Sequence, residues 1–221
     1  MRKKRGFLSC LAFNWKRYDE LMEFFRRAPG RPTKLGILSA SFHPPTRAHL
    51  GLASSALGLV DEVVFVLPKR FPHKEYESVS LRQRLEMVLT AAAGNQRFSV
   101  AVTGGGLFID IARECRQEYG REAELWFLCG RDAAERIVNW DYGVPGAFQK
   151  QLEEYGLLVA ERGGPYDPPA ALSGRIRPLP LDGDYKRVSA TTVRESIEQG
   201  KDWTHLVPEP IVGQVRSLYG G

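Results

Sequence analysis

Cysteine is scarce: three in 221 residues, Cys10, Cys115 and Cys129. Their odd number and wide spacing fit neither a disulfide framework nor zinc-ligand pairs, and point to a reducing compartment. No apolar run approaches the roughly 18 residues that cross a bilayer, so no membrane span is expected. Internal repeats and low-complexity tracts are missing too, so a repeat architecture is not expected. Charge is not concentrated either. The 31 Lys+Arg against 26 Asp+Glu leave a net +5 with no single basic block. That balance allows a local anion site, but it does not suggest an extended nucleic-acid face. What remains, 43% hydrophobic and 26% charged residues, is globular composition. The length suits one large domain, or one domain with an appendage.

The first residues resemble a short signal peptide, with basic Arg2 to Arg5 before an apolar stretch ending at Phe13. Asn14 to Arg17 follow in place of a small-residue cleavage site, which favours a basic leader running into a helix. Leu21, Met22, Phe24 and Phe25 fall at helical spacing between Tyr18 and Arg27. Pro29, Gly30 and Pro32 then end the helix. Residues 1–33 are therefore expected to be a helical extension packed on a domain spanning 34–221, in the cytoplasm. Oligomeric state leaves no mark in the sequence.

From residue 34 onward, strand and helix patterns alternate. Strands are expected at Lys34–Leu38, Asp61–Leu67, Phe98–Val102, Glu124–Cys129 and Gly156–Ala160. Helices are expected at about Thr46–Leu59, Leu81–Ala93, from the Gly104–Gly106 turn to Tyr119, from Val188, and at the C-terminus. Residues 162–170 read as a surface loop of the same domain. The alternation predicts an α/β, Rossmann-like fold, a mainly parallel sheet with helices on both faces. Such sheets bind ligands beyond the carboxyl ends of their strands, and the polar, Gly/Pro-rich segments do cluster there.

Three of those segments carry phosphate-compatible groups. After the first strand, the small residues Ser39, Ala40 and Ser41 allow a ligand to approach the backbone. Thr46 is a good N-cap, with His49 one turn on. Free N–H groups and the helix dipole suit an anion there. The second strand runs into Lys69, Arg70, His73 and Lys74. Ser189 and Thr191 open a late helix, and Arg194 offers a fork of donors on its next turn. Each segment alone also reads as a cap or a surface charge.

Taken together they resemble the nucleotidylyltransferase superfamily, and within it the bacterial nicotinate-nucleotide adenylyltransferases. Ala40 to His49 is similar to the family's loop of Gly, small, Phe, Asp, Pro, any, His or Thr, any, Gly, His. Leu67 to Lys74 resembles its Pro-His-Lys segment, with Arg84 to Met87 placed in the following helix. Phe127 to Asp132 with Trp140, Val159 to Tyr166, Val188 to Arg194 and Val207-Pro208 continue the match in order, over about residues 34–219.

The resemblance implies transfer of AMP from ATP to the phosphate of nicotinate mononucleotide or nicotinamide mononucleotide. Pyrophosphate would be released, with Mg²⁺ accompanying ATP and no metal ligands from the protein. It assigns Thr46, His49 and Arg194 to catalysis. ATP and its phosphates would be held by Ser39, Ala40, Ser41, Phe42, Lys74, Gly130, Asp132, Ser189 and Thr191. Trp140, Arg162 and Phe108 would face the mononucleotide acceptor. The chain departs from the family pattern at Ser39-Ala40, His43, Ala48 and Ala190, and has Leu107-Phe108 where Tyr-Thr is usual. Two alternatives stay open: a different phosphorylated acceptor, or a non-catalytic nucleotide-binding module.

Overall fold

Seven β-branched or apolar-rich segments form one sheet. A computed structural model of the chain describes residues 22–70, 79–140, 142–161, 166–181, 183–185 and 187–220. In chain order its elements are strands β1 (Glu23–Arg26) and β2 (Lys34–Ser39), helix α1 (Arg47–Ala56), β3 (Glu62–Pro68), α2 (Leu81–Ala92), β4 (Phe98–Thr103) and α3 (Phe108–Tyr119). There follow β5 (Glu124–Gly130), α4 (Arg131–Val138), α5 (Ala147–Gln151), β6 (Gly156–Ala160), β7 (Ile176–Leu179), α6 (Ala190–Glu198) and α7 (Val212–Tyr219). The strand order is β1-β4-β3-β2-β5-β6-β7. Every neighbouring pair is parallel except β1 with β4. The expected Rossmann-like, mainly parallel sheet is therefore observed.

The pleat sends alternate residues to opposite faces. Leu35 and Ile37 of β2, with Val64 and Val66 of β3, meet Ile111, Ala112 and Cys115 of α3 on one face. On the other, Leu38, Val63, Phe65 and Leu67 meet Leu52, Ala53 and Ala56 of α1 and Leu85 and Val88 of α2. All seven residues of β3 are buried, as a strand covered on both faces requires. Truncating a ring such as Phe65, 1% exposed, would cost about 3–5 kcal/mol. A third cluster joins Met87 of α2 to Val193 of α6 and Val215 of α7, fastening the C-terminal helices beside α2.

The helix expected over 18–27 is corrected: residues 23–26 form the edge strand β1, and 18–21 lie outside the described residues. Period two decides the conformation. Met22 is buried and Phe24 packs on the core, while Phe25 between Phe24 and Arg26 is exposed. The open edge of β4 supplies ladder partners that a helix would forgo, pairing Glu23 with Val102 and Phe24 with Ala101. The Ala28 amide donates to Ser99 Oγ at 2.8 Å, and that hydroxyl in turn donates to the buried Glu62. The described part of the extension is thus stitched to the sheet. β7, absent from the expectation, is a short edge strand that tolerates Pro178.

From β2 the chain winds outward through β3 to β4 on one side, then crosses back through α3 to β5 on the other side of β2. This is a topological switch point, where a crevice opens beyond the strand ends.

Candidate functional site

The loop leaving β2 passes directly over that crevice. Ala40 N–H still reaches the Val66 carbonyl at 3.3 Å, and the chain then turns at Phe42, whose φ of +48° is left-handed. For a bulky residue this conformation costs roughly 1–2 kcal/mol, so the surroundings must enforce it. Arg84 Nη1 donates to the Ser41 carbonyl at 2.7 Å, and Arg194 Nη1 donates to the His43 carbonyl at 2.6 Å. The two guanidiniums hold the carbonyls on either side of Phe42. Its buried ring meets Phe65 and packs edge-on against His49, centroids 5.1 Å apart.

His43 is buried between these cations. Burial first, then Arg194, then Arg84, lower its pKa from 6.5 to about 4, so it is neutral at pH 7. The ring of Tyr219, from α7, lies edge-on to it at 5.2 Å.

Thr46 N–H donates to His49 Nδ1 at 3.0 Å, and the Thr46 hydroxyl lies 2.8 Å from the same nitrogen. A nitrogen that accepts the amide proton carries none itself, so the neutral ring bears its proton on Nε2. His49 consequently presents an N–H donor on the side away from Thr46. Thr46 is fully buried. Its hydroxyl thereby fixes the imidazole.

A cavity of about 290 Å³ opens here, near the lower end of ligand pockets. Ser39, Ala40, Ser41, Thr46 and His49 line it from β2 and α1, Gly130 from β5, and Ser189 from the start of α6. Helix α4 starts directly at the end of β5, with Gly130 as N-cap. At α6, the Ser189 side chain accepts from Thr192 N–H at 3.0 Å. Three helix N-termini, from α1, α4 and α6, therefore meet at one opening. Their dipoles and free amides favour a polyanion.

The pattern of the cytidylyltransferase-like family matches residues 37–196, a span holding every residue that lines the cavity. The chain belongs to that family. It is also 32% identical over 186 residues to a probable nicotinate-nucleotide adenylyltransferase of Exiguobacterium sibiricum, covering 80% of this chain and 93% of that one. It is 33% identical over 204 residues to a protein of the same name from Citrifermentans bemidjiense, covering 80% and 93%. A solved Plasmodium falciparum nicotinic acid mononucleotide adenylyltransferase, complexed with NaAD, superposes with a TM-score of 0.65. That likeness, at 15% identity over 85% of this chain and 97% of the other, shows the shared fold.

Within this cytidylyltransferase-like site the expected residues divide into groups. Seven line the cavity, as described above. Phe42 and Arg194 brace its loop, and Arg194 Nη2 also donates to Thr191 Oγ1 at 3.4 Å. Asp132 is exposed on the first turn of α4, and Trp140, just beyond that helix, is 60% exposed. Phe108 is half-buried at the start of α3. Its ring stacks on Phe127 of β5, centroids 4.0 Å apart and 7° from parallel, against the core. Lys74, Arg162 and His73 lie outside the described residues. Lys69 and Arg70 are exposed just beyond β3.

Arg84, Tyr219 and Tyr185, which also borders the cavity, carry no role in the sequence reading. Arg84 had a signal in principle, as the one buried cation on the apolar face of α2. Among the described residues no group of three or more His, Cys, Asp or Glu side chains is placed to hold a metal ion. No described helix is long and apolar enough to cross a membrane.

Proposed function

We propose that this chain transfers AMP from ATP to the phosphate of nicotinate mononucleotide, releasing pyrophosphate and forming the dinucleotide used in NAD biosynthesis. The observation that carries this reading is the His49 ring, held through Nδ1 by Thr46, lining a cavity ringed by three helix N-termini. The acceptor phosphate is already an oxyanion, so no general base is needed. One of its oxygens bonds to the α-phosphorus of ATP. The bond from that phosphorus to the bridging oxygen breaks, and pyrophosphate departs with the electron pair.

The protein aligns the two phosphates and neutralises charge as the pentacoordinate transition state forms. In this reading His49 donates to the α-phosphate oxygens, with Thr46 fixing the tautomer. The amides at Ser189 and Thr191, with Arg194, hold the outgoing phosphates. Ser39, Ala40, Ser41 and Gly130 leave room for the nucleotide backbone to approach, and Asp132 accepts from a ribose or amino group. Lys74 and Arg162 add positive charge. Trp140 stacks on the acceptor's flat ring. Mg²⁺ enters as part of the ATP substrate, bound by the triphosphate, and screens its charge. The reaction takes place in the cytoplasm, and residues 34–221 carry it.

One observation favours a second reading of the acceptor. Leu107 is 55% exposed at the start of α3, and Phe108 is stacked on the core, so this edge offers apolar surface. A different phosphorylated acceptor is accommodated there. Pyrophosphate release, measured with ATP, Mg²⁺ and a panel of phosphorylated acceptors, decides between them. The first reading requires nicotinate mononucleotide to give the highest kcat/KM. Turnover only with a non-pyridine acceptor establishes the second.

A further inference from the structure

The net charge of +5 is unevenly shared along the chain. Residues 1–21 hold six basic side chains, in the clusters Arg2 to Arg5 and Lys16-Arg17, against only Asp19 and Glu20. They carry +4, and the rest of the chain, with 25 basic and 24 acidic side chains, carries +1. This segment lies outside the described residues, but β1, the strand it runs into, fixes where it joins the domain.

β1 is antiparallel to β4 and pairs Glu23 with Val102. Its first residues therefore stand at the carboxyl end of β4, the edge of the sheet where the crevice opens. That position is firmly held. Arg26 donates through Nε to the Phe98 carbonyl at 3.0 Å and through Nη2 to the Asn95 carbonyl at 3.1 Å. The Arg27 guanidinium packs over the rings of Phe24 and Tyr119, 4.3 and 5.0 Å from their centroids. The polypeptide consequently joins β1 from the ligand side of the sheet.

β4 lies two strands from β2, about 10 Å at the usual strand spacing. Arg17 and Lys16 stand five and six residues ahead of Met22, a reach of up to about 17–20 Å in extended chain. The connection at this edge, residues 104–112, brings no Lys or Arg of its own and one carboxylate, Asp110. The Lys69 N–H donates to the Thr103 carbonyl at 2.8 Å, which sets the exposed Lys69 and Arg70 beside the end of β4. A cationic rim begun by β3 thus lies within reach of the basic segment ahead of β1.

We propose that residues 1–21 serve the acceptor side of the crevice, where Lys16 and Arg17 attract the anionic mononucleotide. This rests on the reading of the crevice as an adenylyltransferase site. A cleft bordered by one sign of charge raises the local concentration of an oppositely charged substrate. The acceptor's phosphate supplies that opposite charge. Each cation about 10 Å from a unit negative charge in water changes association about twofold, so the pair is worth about fourfold.

The test uses the full chain in three variants. One is Lys16→Gln/Arg17→Gln, and a second replaces Arg2, Lys3, Lys4, Arg5, Lys16 and Arg17 all by Gln. The control, Lys201→Gln/Arg216→Gln, removes two exposed charges from the C-terminal region. Substitutions ahead of β1 leave its anchoring contacts in place. Pyrophosphate release at low salt should give a KM for nicotinate mononucleotide about fourfold higher in the first variant and higher again in the second. In both, kcat stays within about twofold. The gap should close near 1 M salt, where the screening length is about 3 Å. The control keeps the wild-type KM. An unchanged KM in the six-charge variant, or an equal rise in the control, overturns the assignment and leaves the adenylyltransferase reading standing. Loss of binding to duplex DNA or to anionic vesicles, with KM unchanged, assigns the charge to a macromolecular partner and also overturns it. Absence of turnover by the wild-type protein with every phosphorylated acceptor overturns both.

Discussion

Replacing His49 separates its two jobs, one in the helix and one in the chemistry. Nδ1 accepts the Thr46 amide proton at 3.0 Å, which closes the first turn of α1 as a capping contact. Such a contact is worth about 1 kcal/mol. In a chain of this size that shifts Tm by about 2–4 °C. The Nε2–H, on the far side of the ring, is the transition-state donor in the proposed mechanism, and losing one such donor lowers kcat about 10²–10³-fold. His49→Ala should show both losses. In His49→Gln, an amide oxygen can reach back to the Thr46 N–H as a capping-box residue does. That variant should recover the Tm while kcat stays low. Thermal unfolding monitored by circular dichroism, together with pyrophosphate release at saturating substrates, reads the two effects separately. A kcat for His49→Gln within about threefold of wild type would refute the donor role. An unchanged Tm in His49→Ala would refute the capping role.

Arg194→Ala leaves the His43 carbonyl without its 2.6 Å donor. The loss of about 1–3 kcal/mol should lower Tm by several degrees and raise KM for ATP, and an unchanged KM would remove Arg194 from ground-state phosphate binding. Stability should also depend on His43, whose pKa is about 4 when folded against 6.5 ordinarily. The unfolded chain takes up the proton first, so stability falls as pH drops from 6.5 toward 4 and levels off below. The full contribution is at most about 3 kcal/mol. Tm measured across that range should slope in wild type and flatten in His43→Asn, and equal slopes would contradict the buried neutral imidazole. Trp140 is 60% exposed, whereas Trp126 and Trp203 are buried at 3% and 5%. Nicotinate mononucleotide should therefore quench fluorescence in wild type but not in Trp140→Phe. Quenching that survives the substitution would place the pyridine ring elsewhere.

The parallel sheet was legible because its strands are fully buried apolar runs separated by helical periods, a signal that lies within each segment. Thr46, His49 and Ser189 were legible for a similar reason, since caps and helix starts are local. Edge strands are not. Met22 and Phe24 fit a period of two, Met22 and Phe25 a helical spacing, and the open edge of β4 decides between them. The stack of Phe108 on Phe127 was not legible either, because a motif position does not reveal which ring lies beneath it. Long-range braces are the least legible. Arg84 holds a carbonyl 43 residues away and Arg194 one 151 residues away, contacts that exist only once the sheet and α6 have assembled. The departures at His43 and Ala48 likewise acquire meaning only in the fold. His43 is buried against Tyr219, and Ala48 lines the cavity as a small residue.

The central claim is that the acceptor's phosphate attacks the α-phosphorus of ATP in this cavity. Phosphorus NMR of the protein with ATP, Mg²⁺ and nicotinate mononucleotide follows every phosphorus atom at once. The account predicts equal amounts of pyrophosphate and an unsymmetrical dinucleotide diphosphate, formed as both substrates disappear together. ATP that binds yet persists unchanged beside nicotinate mononucleotide and nicotinamide mononucleotide, or that yields ADP and inorganic phosphate, would contradict it.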